Sequence, residues 1–151
     1  MVESLIHMDK AVFRFFNTTI ANPFFDWIMP IITNQNIWAV PIIIIIFSLL
    51  FKGGRRGRIA VAIIIISVGL ADAASAQILK PFFARLRPSH ELTEGIRILV
   101  GKGGQYGFVS SHAANVFAAA VVFGYFYPRH KSTYFIIAAL VAFSRVYVGV
   151  H

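Results

Sequence analysis

The chain has 151 residues, 58% hydrophobic and 13% charged, with fourteen Lys or Arg against six Asp or Glu and a formal charge of +8. A soluble domain carries about 25% charged residues, so this chain is too apolar for a soluble sphere and too hydrophobic for a disordered segment. The lack of Cys excludes a disulfide scaffold and any thiolate metal site. A nucleic-acid binder presents its basic residues on a polar surface, which this composition does not supply. The arithmetic favours an integral membrane protein with its charges at the ends of its spans.

The first 25 residues interleave Leu5, Ile6, Val12, Phe13, Phe15, Phe16 and Ile20 with Glu3, Asp9, Lys10 and Arg14. That pattern predicts an amphipathic helix lying in the membrane interface. The alternative is a short first span with ragged ends. The segment is too charged for a secretory signal and lacks a small-residue cleavage pattern. Four stretches of spanning length follow, at 27–51, 59–79, 109–128 and 132–150. The first is free of charge and contains Pro30 and Pro41, which are expected to kink or divide it. The others carry Asp72, His112 and Arg145. Inside lipid every backbone polar group must be paired within its own segment, so the spans read as helices. The expected fold is an all-α polytopic bundle of at least four spans plus the N-terminal interfacial helix. It forms one domain over 1–151, with no internal repeat and no linker.

The connections set the orientation. Lys52-Gly53-Gly54-Arg55-Arg56-Gly57-Arg58 joins the first two spans, and Arg129-His130-Lys131 joins the last two. Two crossings separate these loops, so both lie on one side, which the positive-inside rule makes cytoplasmic. Residues 80–108 then lie outside. That segment is basic too, with Lys80, Arg85, Arg87, Arg97 and Lys102 against Glu91 and Glu94. The conflict resolves if the outer charges hold an anion.

Alternating crossings bring the unusual residues to the outer face: Lys80, Arg85 and Arg87 after the second span, Ser110-Ser111-His112 at the start of the third, and Ser144-Arg145 and His151 at the end of the fourth. Arg offers a planar fork to phosphate oxygens and Lys a point charge. Hydroxyls and free N–H groups at a helix start also face anions. His serves as nucleophile or proton donor near neutral pH. Duller readings exist for each: Lys80, Arg85 and Arg87 as headgroup-snorkelling residues, Ser110 or Ser111 as a plain N-cap, a lone His as an interfacial residue. Arg145 is the hardest to dismiss, since a charge in an apolar helix is costly unless paired or functional. Asp72 lies eight residues before Lys80, on a similar helix face, and reads as a partner for a basic or hydroxyl group.

The spacing resembles the type 2 phosphatidic acid phosphatase family, of the superfamily that includes bacterial acid phosphatases and vanadium haloperoxidases. Lys80 and Arg87-Pro88 fit its Lys, six residues, Arg-Pro motif. Val109-Ser110-Ser111-His112 fits Pro-Ser-Gly-His, with Val for Pro and Ser for Gly. Ser144-Arg145, five residues and His151 fit the start of the third motif. The resemblance runs from about Lys80 to His151. It implies a metal-independent phosphohydrolase with no cofactor. His151 would attack phosphorus and form a phosphohistidine, and His112 would protonate the leaving oxygen. Lys80, Arg87, Arg145, Ser110 and Ser111 would bind the phosphate, with Arg85 and Asp72 as possible supports. The family's third motif ends in an Asp four residues after the His. That Asp, which orients the nucleophile, and a further span are therefore expected beyond residue 151.

The implied substrate is a membrane lipid phosphate: lipid A 1-phosphate, undecaprenyl diphosphate or phosphatidylglycerophosphate. Residues 80–108 are expected to form the outer catalytic loop and to choose the headgroup, with the glycines of 101–104 permitting a mobile cap. The expected location is the bacterial inner membrane with an outward-facing site, and the partner is the lipid bilayer. Two other readings stand beside hydrolysis. One is lipid-to-lipid phosphotransfer through the same site, the other a non-catalytic anion-binding membrane protein.

Overall fold

The structure is a computed structural model that describes residues 2–91, 95–101 and 103–150, without the side chains of residues 2, 3, 5 and 6. His151, Lys102 and Glu94 lie outside the described residues. About 80% of the chain is helical, and a single antiparallel bridge, Leu86 to Tyr106, stands among the described residues outside the helices.

Helix α1 (Val2–Arg14) continues into a π-helical turn, Phe15–Thr19. Phe13 is buried, and Phe16 on the π-helical turn meets Phe143 edge-on at 5.6 Å, while Met8 and Val12 are exposed. The segment expected to be an amphipathic helix is thus helical over Val2–Arg14. Asn22 then caps α2 (Pro23–Thr33), its side chain accepting from the Phe25 amide at 2.9 Å, with Pro23 preset for the first turn.

The first predicted span is divided, but not at a proline. Pro30 and Pro41 both lie within helices, and the break falls at Asn34, whose extended backbone ends α2 and whose side chain caps α3 (Gln35–Lys52). Asn bonds its own downstream backbone readily, so it stops one helix and starts the next. Trp38 Nε1 donates to the Ile32 carbonyl at 2.8 Å and pins this elbow. At 11 residues α2 is too short to cross a bilayer.

Helices α3 and α4 (Gly54–Ala73) form a tight hairpin. A Cβ at Gly57 would collide with the Leu49 carbonyl, and Gly54 adopts a positive φ of 59°. α4 runs on through a π-helical stretch, Ala74–Leu79, into α5 (Lys80–Phe83), giving a 30-residue apolar rod. At 1.5 Å per residue such a rod is about 45 Å long, so both ends clear a hydrocarbon core of about 30 Å. Ala84, at φ 43°, ends it. Short helix α6 (Pro88–Glu91) follows, and Arg87 N to Gln105 O at 3.0 Å closes the loop between the rod and α7. α7 (Ser111–Phe126) and α8 (Lys131–Tyr147) form a second hairpin through Pro128–His130.

Small residues line the packed seam: Ala60 and Val61 on α4, Ala120 and Val122 on α7, Ala138 and Val141 on α8 are all buried. Small side chains let helix backbones approach closely, the usual basis of helix packing in lipid. α3 buries no residue, and its Ile42–Ile45 run is exposed. Those exposed apolar faces belong against lipid rather than water. α3 and the Gly54–Phe83 rod are the described helices long and apolar enough to cross a membrane; α7 and α8 have 16 and 17 residues. The Arg56 guanidinium lies 5.3 Å from the Tyr127 ring centroid, so the two basic connections share one end of the bundle.

The opposite end is held by a buried clasp. Met29, Tyr147, Val148 and Val150 form its core, with Phe25, Leu99 and Phe143 packed against it. Asn17 has no exposed surface. Its Nδ2 donates to the carbonyls of Arg97 and Tyr147, both at 2.8 Å, and its Oδ1 accepts from the Arg97 amide at 2.7 Å. Leaving such buried groups without partners costs about 1–3 kcal/mol each. Beside it Arg97 pairs with Asp26, and the Tyr147 hydroxyl donates to the same carboxylate at 2.6 Å.

Candidate active site

Ser110 ends the extended approach to α7, and its Oγ accepts from the Ala113 amide at 3.4 Å as an N-cap. This leaves Ser111 and His112 on the first turn of α7, where backbone N–H groups have no partner within the helix. The end of the long rod reaches the same place. Lys80 Nζ donates to Ser111 Oγ at 2.9 Å, so the residues of two sequence motifs touch across 31 positions.

Arg87 arrives from the loop between the rod and α7. Its Nε donates to the Tyr106 carbonyl at 3.0 Å, and it is 8% exposed. A Cβ at Gly103 or Gly107 would run into its side chain, so the loop glycines make room for it. Burial pushes the Arg87 guanidinium below its ordinary value, though an Arg stays cationic at neutral pH.

Arg145 comes from the last turn of α8. It is 9% exposed, and its NH1 donates to Thr33 Oγ1 at 3.0 Å. Its Nε is buried with no hydrogen-bond partner among the described residues. Ser144, the other half of its motif, is fully buried and spends its hydroxyl on the Val141 carbonyl at 2.7 Å. Lys80, held on Ser111, lies beside His112 at the start of α7. His112 also lines two adjoining cavities. One, of about 730 Å³, is largely apolar and runs between α3, α7 and α8. The other, of about 420 Å³, is shared with Arg145 and Thr33 and the polar residues Asn34, Gln35 and Asn36.

Thus the structure brings together Lys80, Arg87, Ser110, Ser111, His112 and Arg145. Asp72 lies a step away, accepting from Asn115 Nδ2 at 3.1 Å, one turn along α7 from His112. Arg85 does not join the group; it pairs with Asp9 on α1. His151 lies outside the described residues. Sequence reasoning missed Thr33, the hydroxyl that holds Arg145, because it sits 112 residues away and carries no motif of its own.

Three buried or half-buried cations face one carboxylate here. Unbalanced charge of that sign at a helix start is a receptor for an oxyanion. An imidazole beside it can move a proton to or from what is bound.

Comparison with known proteins agrees with that chemistry. Residues 57–151 match the PAP2 superfamily. The chain is 30% identical over 156 residues to a lipid A 4'-phosphatase of Porphyromonas gingivalis, covering 99% of this chain and 66% of the relative. It is 33% identical over 159 residues to a lipid A 4'-phosphatase of Bacteroides thetaiotaomicron, covering 100% and 70%. The chain thus spans about two thirds of the length of these relatives. No solved structure matches it. With the matched region holding the first two motifs and the start of the third, and with the first two in contact, the chain belongs to the PAP2 superfamily of type 2 phosphatidic acid phosphatases.

Proposed function

We propose that the protein is an integral membrane lipid phosphatase that hydrolyses a phosphate headgroup without a metal ion. The observation that carries this reading is the meeting of Lys80 with Ser111, and of Arg145 with His112 in one cavity, at the start of α7. Phosphoryl transfer is mostly positioning and electrostatic stabilisation, and here cationic side chains supply the charge.

In this reading a ring nitrogen of His151 attacks phosphorus in line. The bond to the lipid oxygen breaks, and His112 gives that oxygen its proton. Water, relieved of a proton by His112, then cleaves the phosphohistidine and releases inorganic phosphate. Lys80, Arg87 and Arg145 hold the phosphate oxygens, with Ser110 and the Ser111 amide beside them. The buried, unpaired Nε of Arg145 supports its place in this set.

The names of the two relatives point to lipid A as the substrate class and to its 4'-phosphate as the first position to test, ahead of the 1-phosphate. The site would open on the outer face of the bacterial inner membrane, opposite the basic connections at 52–58 and 129–131. A phosphate-release panel tests the reading: lipid A phosphorylated at one position or the other, undecaprenyl diphosphate and phosphatidylglycerophosphate. Release from one of them, inhibited by vanadate, supports it. Appearance of a phosphorylated lipid acceptor without free phosphate would replace hydrolysis by transfer.

A further inference from the structure

The third motif includes Ser144, Arg145 and His151, yet the groups that hold its turn come largely from elsewhere. The Tyr147 carbonyl accepts from Asn17 Nδ2 at 2.8 Å. The Val148 carbonyl accepts from the Leu99 amide at 3.2 Å. Gly149 sits at φ 86°, and a Cβ there would strike the Arg97 carbonyl and lie 3.3 Å from Asn17 Nδ2. The loop residue Arg97 is in turn fixed by Asn17 through both its amide and its carbonyl. One side chain, fully buried, therefore ties the outer loop to the end of α8. Asn17 lies on the N-terminal segment, 40 residues before the family-matched region begins at residue 57.

We propose that Asn17 is a positioning residue: it sets the place of the turn at 144–150, and through it Arg145 and the approach to His151. This inference rests on the phosphatase reading above. The geometry suits the role better than a bland anchoring one. Both donors and the acceptor of the amide are used, and each goes to backbone of a segment adjoining the site. A side chain that merely filled space would need no such match. Misplacing a reacting group by about 1 Å costs on the order of a hundred-fold in rate, and only the segments that Asn17 joins would move.

The test compares purified wild type with Asn17→Ala and Asn17→Ser, counting only variants that elute and show helical content as wild type. Gly149→Ala disturbs the same contact from the turn's side, and Thr18→Ala, which neighbours Asn17 but bonds only the Arg14 carbonyl, is the control. The expected result on a lipid phosphate is a kcat lower by about a hundred-fold in the Asn17 and Gly149 variants, with KM within about two-fold. Thr18→Ala keeps the wild-type kcat. Asn17 variants with wild-type kcat, or with a raised KM alone, overturn the proposal. If wild type turns over no lipid, the phosphatase reading fails instead. The positioning role is then read from amide hydrogen exchange. Faster exchange at Tyr147–Val150 in Asn17→Ala, with α7 unchanged, supports it, and wild-type exchange there overturns it.

Discussion

Lys80 and Ser111 make the most informative single contact, because it joins the first two motifs in space. A hydrogen bond to a charged group is worth about 1.5–3 kcal/mol, so Ser111→Ala is expected to lower kcat/KM by about ten-fold or more as Lys80 loses its fixed direction. Arg145→Lys keeps the charge and loses the fork that bonds Thr33 and, on the proposed function, would also hold a phosphate oxygen. Its expected cost is about 10²–10³ in kcat, measured on the preferred lipid. Asp26 supplies a pH dependence of stability. Its bond from Tyr147 and then the Arg97 guanidinium hold its carboxyl below the usual carboxylate value. A carboxyl with a depressed folded value stabilises above its unfolded value of about 4 and stops doing so as pH falls through the folded value. Thermal unfolding in detergent should therefore show stability lost toward acid, with a shallower loss in Asp26→Asn.

At the scale of elements, much of the fold was legible because hydropathy and capping are local. The apolar stretches became α3, the Gly54–Phe83 rod, α7 and α8, and of the two N-cap candidates, Ser110 and Ser111, it is Ser110 that caps α7. The elbow at Asn34 was not legible: two prolines nearby gave the stronger breaker signal, yet both fit within helices once the neighbouring turns were built. The pairing of Arg85 with Asp9 was hidden for another reason. Nothing in either segment's pattern says that α1 packs beside the outer loop, and the two residues are 76 apart. The clasp of Asn17, Asp26, Arg97 and Tyr147 is of the same kind, assembled from segments up to 130 residues apart. The α3–α4 hairpin yields a direct prediction. Gly57→Val places a branched side chain against the Leu49 backbone and should cost about 1–3 kcal/mol. The readout is a lower melting temperature, together with weaker disulfide trapping between single cysteines introduced on α3 and α4.

For the whole molecule, the distribution of charge is the organising fact. Nine of the fourteen basic residues fall into two groups. Lys52, Arg55, Arg56, Arg58, Arg129 and Lys131 lie at one end, beside the Arg56–Tyr127 contact. Lys80, Arg87 and Arg145 gather at the other around His112. If the first group fixes orientation, a single Cys at Gln105 should react with an impermeant maleimide in intact spheroplasts, and one at Arg129 should react only after lysis. The chain has no Cys of its own to interfere. The central claim, metal-free hydrolysis at the cationic site, is tested most directly by phosphate release from lipid A by purified protein, with and without EDTA, in wild type and His112→Ala. The account predicts release that persists in EDTA and falls about 10²–10⁴-fold in His112→Ala. Release abolished by chelation, or unchanged in His112→Ala, would contradict it.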